Sequence, residues 1–420
     1  MSASRQRPAG DHPVATAADP AIHAEAGPAA PGTGPAPQGE DTEDRRDRTA
    51  VVWTVTGLLV VVALAGTVRF LTERLPGAAE GTGFGRIAKS IEYPVYAIAL
   101  GFLGNAVLSL AGVRDRMTAA FRTEFFIKIG LVLLGASINV AVVVRAAGPA
   151  VLQAIALITI VFAFTWWFAG RLGIDDRLRA LLASSLSICG VSAAVAAAGA
   201  VQAKKEQLAF TATLVIVFAV PSIFLLPWLA DLMGLPDAVT GAWIGGNIDT
   251  TAAVTAAGAV AGEQALQIAS IVKVTQNALL GVVAVLLTLY FAVKVAPDGS
   301  GADAAAQGDG RAPRFGDRAT LLMLWQRFPK FVLGFIAASI IATLLAESVP
   351  AALLEPRLDA AKELQVWALT LAFVSIGLEF NLASAKDAGW KPVLVFFMAT
   401  LVNLLVGLGL ALLLFRDFTF

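Results

Sequence analysis

Apolar residues dominate the chain from Ala50 onward, interrupted at intervals by short polar or glycine-rich clusters. Runs such as Val51–Phe70, Leu152–Phe168 and Leu394–Phe415 approach or reach the length of about 20 apolar residues that a bilayer-spanning helix needs. The pattern predicts helices near 51–72, 94–113, 125–145, 148–170, 207–230, 263–293, 320–346, 364–383 and 389–415. Two further apolar stretches, about 179–202 and 238–261, are broken by SSLSICG (Ser184–Gly190) and GGNIDTT (Gly245–Thr251). The fold class expected is an all-α polytopic membrane protein with about 9–11 transmembrane helices, two of them interrupted.

The interrupted stretches are near copies. Val191–Val201 reads VSAAVAAAGAV and Thr250–Val260 reads TTAAVTAAGAV, identical at eight of eleven positions. Hydrocarbon cannot satisfy a free backbone N–H or C=O, so an unwound segment persists at membrane depth only where protein, water or a ligand supplies partners. Paired breaks of this kind point to the binding site of a secondary transporter. A longer duplication accompanies them. LGF occurs at Leu100–Phe102 and Leu333–Phe335, G-x-x-x-N at Gly135/Asn139 and Gly377/Asn381, and AGPAVL (Ala147–Leu152) answers AGWKPVL (Ala388–Leu394). Three consecutive helices thus recur seven elements apart, and an odd offset implies opposite orientation: an inverted repeat.

Basic residues favour the cytoplasmic side. A cytoplasmic N-terminus puts Arg45/Arg46/Arg48, Arg114/Arg116/Arg122, Arg171/Arg177/Arg179, Arg311/Arg314/Arg318 and Lys386/Lys391 all inside. Lys204 and Lys205 join them only if both interrupted segments are re-entrant, the first dipping from the cytoplasm and the second from outside. Full crossing leaves these two lysines outside, against the rule, so the basic residues favour re-entrant or half-crossing segments over full spans, with both readings kept on the strength of only two residues.

Composition refines the division of the chain. Residues 1–48 are rich in Ala, Pro, Gly and charge, the signature of a disordered tail. The first apolar run starts too late for a cleavable leader. A membrane domain is expected at 49–295 and 319–420, joined by a polar, flexible cytoplasmic loop at 296–318. Charge balances at 31 against 31, which gives no reason to expect a nucleic-acid partner. Both histidines lie in the tail, Cys189 is the sole cysteine, and neither a metal-site spacing nor a Walker A motif occurs. No cofactor and no enzymatic activity are expected.

Candidate chemistry collects at the breaks. Ser187, Cys189, Gly190 and Ser192 form one tip; Gly246, Asn247, Thr250 and Thr251 form the other, with Asp249 between them. A helix restarting after each break offers free N–H groups and a positive dipole end, which suits an anion. Lys273 lies ten residues past Glu263, about 15 Å into its helix, and an ionisable group at that depth points to function. It is a candidate substrate ligand with Asp249 as its partner, or else half of a structural pair. Asp249, Glu379, Asn139 and Asn381 are the candidates for a coupling ion, H+ or Na+. Asn139 and Asn381 would equally serve as helix caps or interhelical bonds, and Lys128, four residues from Glu124, would equally snorkel to the surface.

The stretches SICGVSAA (Ser187–Ala194), GAWIGGNIDTTAAVTAAG (Gly241–Gly258) and ALQIASIVKVTQ (Ala265–Gln276) resemble the sulfate exporter family of bacterial inner-membrane proteins. Members of that family carry an arginine where this chain has Gln276. The resemblance implies a multi-pass protein of the bacterial inner membrane that exports sulfate, sulfite or a related oxyanion or sulfonate. Its relationship to sodium–bile acid symporters and cation–proton antiporters implies inverted repeats with crossed helices. It also leaves a sodium- or proton-coupled antiporter, or an organic-anion symporter, as the alternative. The expected partners are the small anion, a coupling ion, the lipid bilayer and a second copy in a homodimer.

Overall fold

The computed structural model describes residues 40–78, 93–295, 322, 325, 328–380 and 389–420. Residues 49–420 form one compact unit. In chain order the elements are α1 (Glu40–Ala78), α2 (Tyr93–Leu110), α3 (Thr123–Gly135), α4 (Val140–Arg171), α5 (Asp176–Ser187), α6 (Val191–Val201) and α7 (Lys205–Leu232). There follow α8 (Asp237–Asn247), α9 (Thr251–Ala261), α10 (Glu263–Ala278), α11 (Leu280–Val295), α12 (Phe331–Ser348), α13 (Ala351–Glu379) and α14 (Trp390–Phe415). Among the described residues, eight helical stretches are long and apolar enough to cross a membrane, so the protein is an all-α, multi-pass membrane protein. The stretch Glu263–Thr288 counts as one of the eight although it is relayed at Leu279 between α10 and α11.

Besides the helix expected over 320–346, whose α12 starts at Phe331, two predicted boundaries move. The chain breaks between Gly135 and Val140, not between 145 and 148, because Asn139 adopts an extended conformation and its side chain accepts the Ala141 N–H at 2.8 Å. This is an N-cap. The Gly148–Pro149 pair that read as a break lies inside α4 instead. The other shift is at α13, which begins at Ala351 rather than near 364; its first turns carry Glu355, Arg357 and Asp359 and extend the helix beyond the apolar stretch.

Each interrupted stretch folds back on itself. In the first, the Arg177 guanidinium at the start of α5 donates to the Gln202 carbonyl just past α6 (3.2 Å), and Ala180 and Leu181 pack with Ala197, Ala198 and Val201. In the second, α10 serves as a ruler. A Cβ on Gly241 of α8 would lie 2.4 Å from the Ala265 carbonyl, and one on Gly258 of α9 would lie 2.9 Å from the Leu266 Cα. Gln276 and Asn277, at the other end of α10, reach Gly246 and Thr251. So α8 runs with α10 and α9 runs against it, which makes a hairpin. Crossed helices are therefore not what this chain builds; re-entry, the arrangement that keeps Lys204 and Lys205 with the other basic residues, is.

The hairpins enter from opposite ends of α4. Asn139, at its start, shares a cavity of about 340 Å³ with Glu263, beside the base of the α8–α9 hairpin. Arg171, at its end, leads through a short turn into the α5–α6 hairpin. The repeated triplets also make reciprocal contacts. Gly101 meets the backbone of Val374 and Gly377 in α13, while Gly135 of α3 meets the backbone of Phe335 in α12.

Candidate functional site

The hairpin tips touch at the centre of the fold. Gly190 turns the first tip with φ +60° and ψ −119°, a conformation open to glycine because it lacks a Cβ. A Cβ there would stand 2.7 Å from Val215 Cγ1 and 3.3 Å from the Cβ of Asp249. At the second tip the Thr250 hydroxyl caps α9 by accepting the Ala253 N–H at 3.1 Å. The N-cap of α6 is Gly190, which has no side chain to do the same; the Ala193 N–H of its first turn meets the Cys189 sulfur instead.

A cavity of about 920 Å³ ends on these two helix starts. Cys189, Val191, Ser192, Thr250, Thr251 and Asn277 line its inner end; Phe125, Ile216, Val220, Ile223, Phe331 and Ile376 are among its apolar walls. Arg122, Glu124, Lys128, Lys330 and Glu379 also line it, at the ends of α3, α12 and α13 remote from the smaller cavity. Thr251 additionally accepts a hydrogen bond from the Asn277 amide at 3.0 Å. The arrangement offers hydroxyls, an amide and two positive helix ends to a solute that enters between three basic and two acidic side chains.

The opposite polarity is turned away and neutralised. The C-terminal ends of α5 and α8 carry freed carbonyls, and α10 caps both. Lys273 Nζ donates to the Ile188 carbonyl at 2.7 Å and to Gln276 Oε1 at 2.8 Å. Gln276 Nε2 in turn donates to the Ser187 carbonyl at 2.9 Å and to the Gly246 carbonyl at 3.4 Å. Lys273 is 1% exposed and does not line the cavity. A cation at a helix C-terminus is favoured by the dipole, the more so when buried.

Lys273 has a part that was not expected of it: it holds the end of a half-helix. It makes no hydrogen bond to Asp249, its expected partner, but the two buried charges act on each other electrostatically, and Lys273 does not line the large cavity. Of the other candidate substrate ligands, Cys189, Ser192, Thr250 and Thr251 reach the cavity, whereas Ser187, Gly190, Gly246 and Asn247 build the tips behind it. Ser187 spends its hydroxyl on the Ala183 carbonyl at 2.7 Å. The coupling candidates disperse. Asp249 is at the tips, Glu379 is at the wide end of the large cavity, Asn139 caps α4 beside the small one, and Asn381 lies outside the described residues. Lys128 pairs with Glu124 at 3.0 Å. Among the described residues, no group of three or more His, Cys, Asp or Glu gathers as a metal centre would need.

Sequence reasoning missed Gln153 and Asn403. Each is a lone amide in an apolar helix, which was the available signal. Gln153 Nε2 donates to the Ala242 carbonyl at 2.8 Å, and Asn403 Nδ2 to the Asn247 carbonyl at 3.2 Å.

Residues 56–396 match the family described as conserved hypothetical protein 698. The chain belongs to this family. The family resemblance drawn from the SICG and GGNIDTT stretches is thereby upheld. Similar proteins include a UPF0324 membrane protein of Rhodopirellula baltica, 36% identical over 336 residues that cover 78% of this chain and 59% of that protein. A UPF0324 membrane protein of Nitratidesulfovibrio vulgaris is 33% identical over 330 residues, covering 76% and 54%. The UPF0324 membrane protein TauZ of Paracoccus denitrificans is 29% identical over 364 residues, covering 84% and 94%. The chain therefore spans little more than half of the first two relatives and nearly all of the third. No solved structure matches it.

Proposed function

We propose that this protein is a secondary transporter that carries a small anion, namely sulfate, sulfite or a sulfonate, out of the cytoplasm across the inner membrane. The observation that carries this reading is the meeting of two helix N-termini, α6 and α9, at the inner end of a cavity whose other end is lined by Arg122, Lys128 and Lys330 together with Glu124 and Glu379. Half-helices at membrane depth present their N-termini to anionic substrate groups in transporters built on inverted repeats. The N-terminus and the basic end of the large cavity are assigned to the cytoplasm on the distribution of arginine and lysine. The second reading, a cation-coupled antiporter, rests on Asp249 beside Gly190 at the tips.

Counterflow of labelled sulfate, sulfite and sulfonates in proteoliposomes tests the proposal. Saturable exchange of at least one anion is expected, and Ser192→Asp, which sets a carboxylate against the α6 N-terminus, is expected to abolish it with folding retained. No exchange of any of the three, or undiminished exchange by the variant, would overturn the reading.

Alternating access requires the far side to open. There the small cavity borders the Lys362–Glu263 ion pair (2.8 Å), which joins α13 to α10. Both side chains are half exposed, so the pair is worth at most about 1 kcal/mol and is easily released. In a Cys189→Ser background, Lys362→Glu is expected to speed labelling of Ser137→Cys by an impermeant thiol reagent from that side. Unchanged labelling would show that the pair does not hold this side closed.

A further inference from the structure

Among the described residues, five buried amide oxygens have no donor, and three of them belong to residues that meet at one helix end: Gln153 Oε1, Asn247 Oδ1 and Asn403 Oδ1, on side chains 0%, 7% and 2% exposed. All three residues gather on the last turns of α8. Gln153 from α4 bonds the Ala242 carbonyl, Asn247 bonds the Trp243 carbonyl at 2.6 Å, and Asn403 from α14 bonds the Asn247 carbonyl. Asn247 also abuts α14, since a Cβ on Gly407, one turn beyond Asn403, would lie 2.6 Å from its Oδ1.

The orientation of these amides is not arbitrary. Each nitrogen donates to a backbone carbonyl, and a carbonyl accepts but cannot donate, so a flip would set oxygen against oxygen. The oxygens are therefore held with their lone pairs in a dry interior, where an unsatisfied polar atom is costly. Neutral oxygen ligands suit a hard cation of single charge. A divalent ion would leave its charge uncompensated.

From this geometry we infer a monovalent-cation site, selective for Na+, formed by Gln153, Asn247 and Asn403 behind the α8–α9 tip. The site is separate from the large cavity, whose lining includes none of the three. A cation here ties α4 and α14 to the half-helix that leads into Asp249 and Thr250. Occupancy would thus set the position of one half of the proposed anion site. The inference deepens the transporter reading but does not require anion flux to be tested.

The test is thermal unfolding of the purified full chain in detergent, in choline chloride with NaCl or KCl substituted at constant ionic strength. Na+ is expected to raise the midpoint saturably by several degrees, and K+ to do so less at equal concentration, as ligation of the folded state requires. Gln153→Met, which keeps the volume and removes the oxygen, is expected to abolish the shift. Should that variant fail to fold, Asn403→Asp provides the check: a charged oxygen is expected to move saturation to several-fold lower Na+. Identical midpoints in sodium, potassium and choline would overturn the inference and leave the oxygens to buried water. A sodium shift unaltered in both variants would overturn it too, by placing the ion elsewhere. A sodium shift without any anion exchange would sink the transporter reading alone.

Discussion

Lys273→Met is expected to lower both the stability of the protein and its transport, not transport alone. The ammonium satisfies the Ile188 carbonyl and the Gln276 amide oxygen in a site with almost no exposure. Hydrogen bonds to charged groups contribute about 1.5–3 kcal/mol each, and a buried acceptor left without a donor costs about 1–3 kcal/mol. Against this, removing a buried charge relieves its desolvation, which offsets part of the loss. The balance is a destabilisation of about 2–4 kcal/mol, seen as a lower unfolding midpoint. The α5 end would lose its bond at Ile188 and keep only that of Gln276 to Ser187, so the tip would lose its register and anion exchange with it. Lys273 and Gln276 share one network, and the double variant Lys273→Met/Gln276→Leu is expected to cost less than the sum of the singles. A Lys273→Met protein that melts like the wild type and has lost only anion binding would return the lysine to the role of a direct ligand.

Gly190→Ala is expected to abolish exchange through the backbone. At φ +60° and ψ −119° a residue with a Cβ is strained by about 1–3 kcal/mol. In addition the new carbon would sit 2.7 Å from Val215 Cγ1 and 3.2 Å from Thr250 Cγ2, so the two tips must part. Gly199→Ala is the control on the same hairpin. It lies within α6 with nothing near its Cβ position, and alanine there is expected to stabilise by up to about 1 kcal/mol without harming exchange. Unfolding midpoints and exchange rates of the two variants decide the matter: equal behaviour would remove the tip contact from the mechanism.

The two glycines already differ in sequence, Gly190 in the SSLSICG break and Gly199 in the Ala-rich arm, but what a methyl group would meet at each is set by the fold. The break after Gly135 was less legible. The apolar pattern continues through Ser137 to Val144, so the capping signal of Asn139 was masked by its neighbours, and the Gly148–Pro149 pair drew the boundary instead.

What the sequence determined by itself is what depends on local composition. Partition into hydrocarbon is a property of about 20 consecutive residues, so the spanning stretches could be located along the chain, if not to the residue. Breaks rich in glycine, serine and asparagine inside such stretches signal unwound backbone for the same local reason, and their duplication marked the pair as one site. The basic loops ordered the sides, and through Lys204 and Lys205 they favoured re-entry. Only the tertiary structure decided what faces what. That α10 caps both half-helices with Lys273 and Gln276, that Asp249 stands against Gly190, and that Gln153 and Asn403 converge on α8 are contacts across 30 to 156 residues. No window of sequence contains them. A lysine at mid-depth needs a negative partner on electrostatic grounds, but which groups supply it is settled by packing: here the helix end takes its hydrogen bond and Asp249 adds its field.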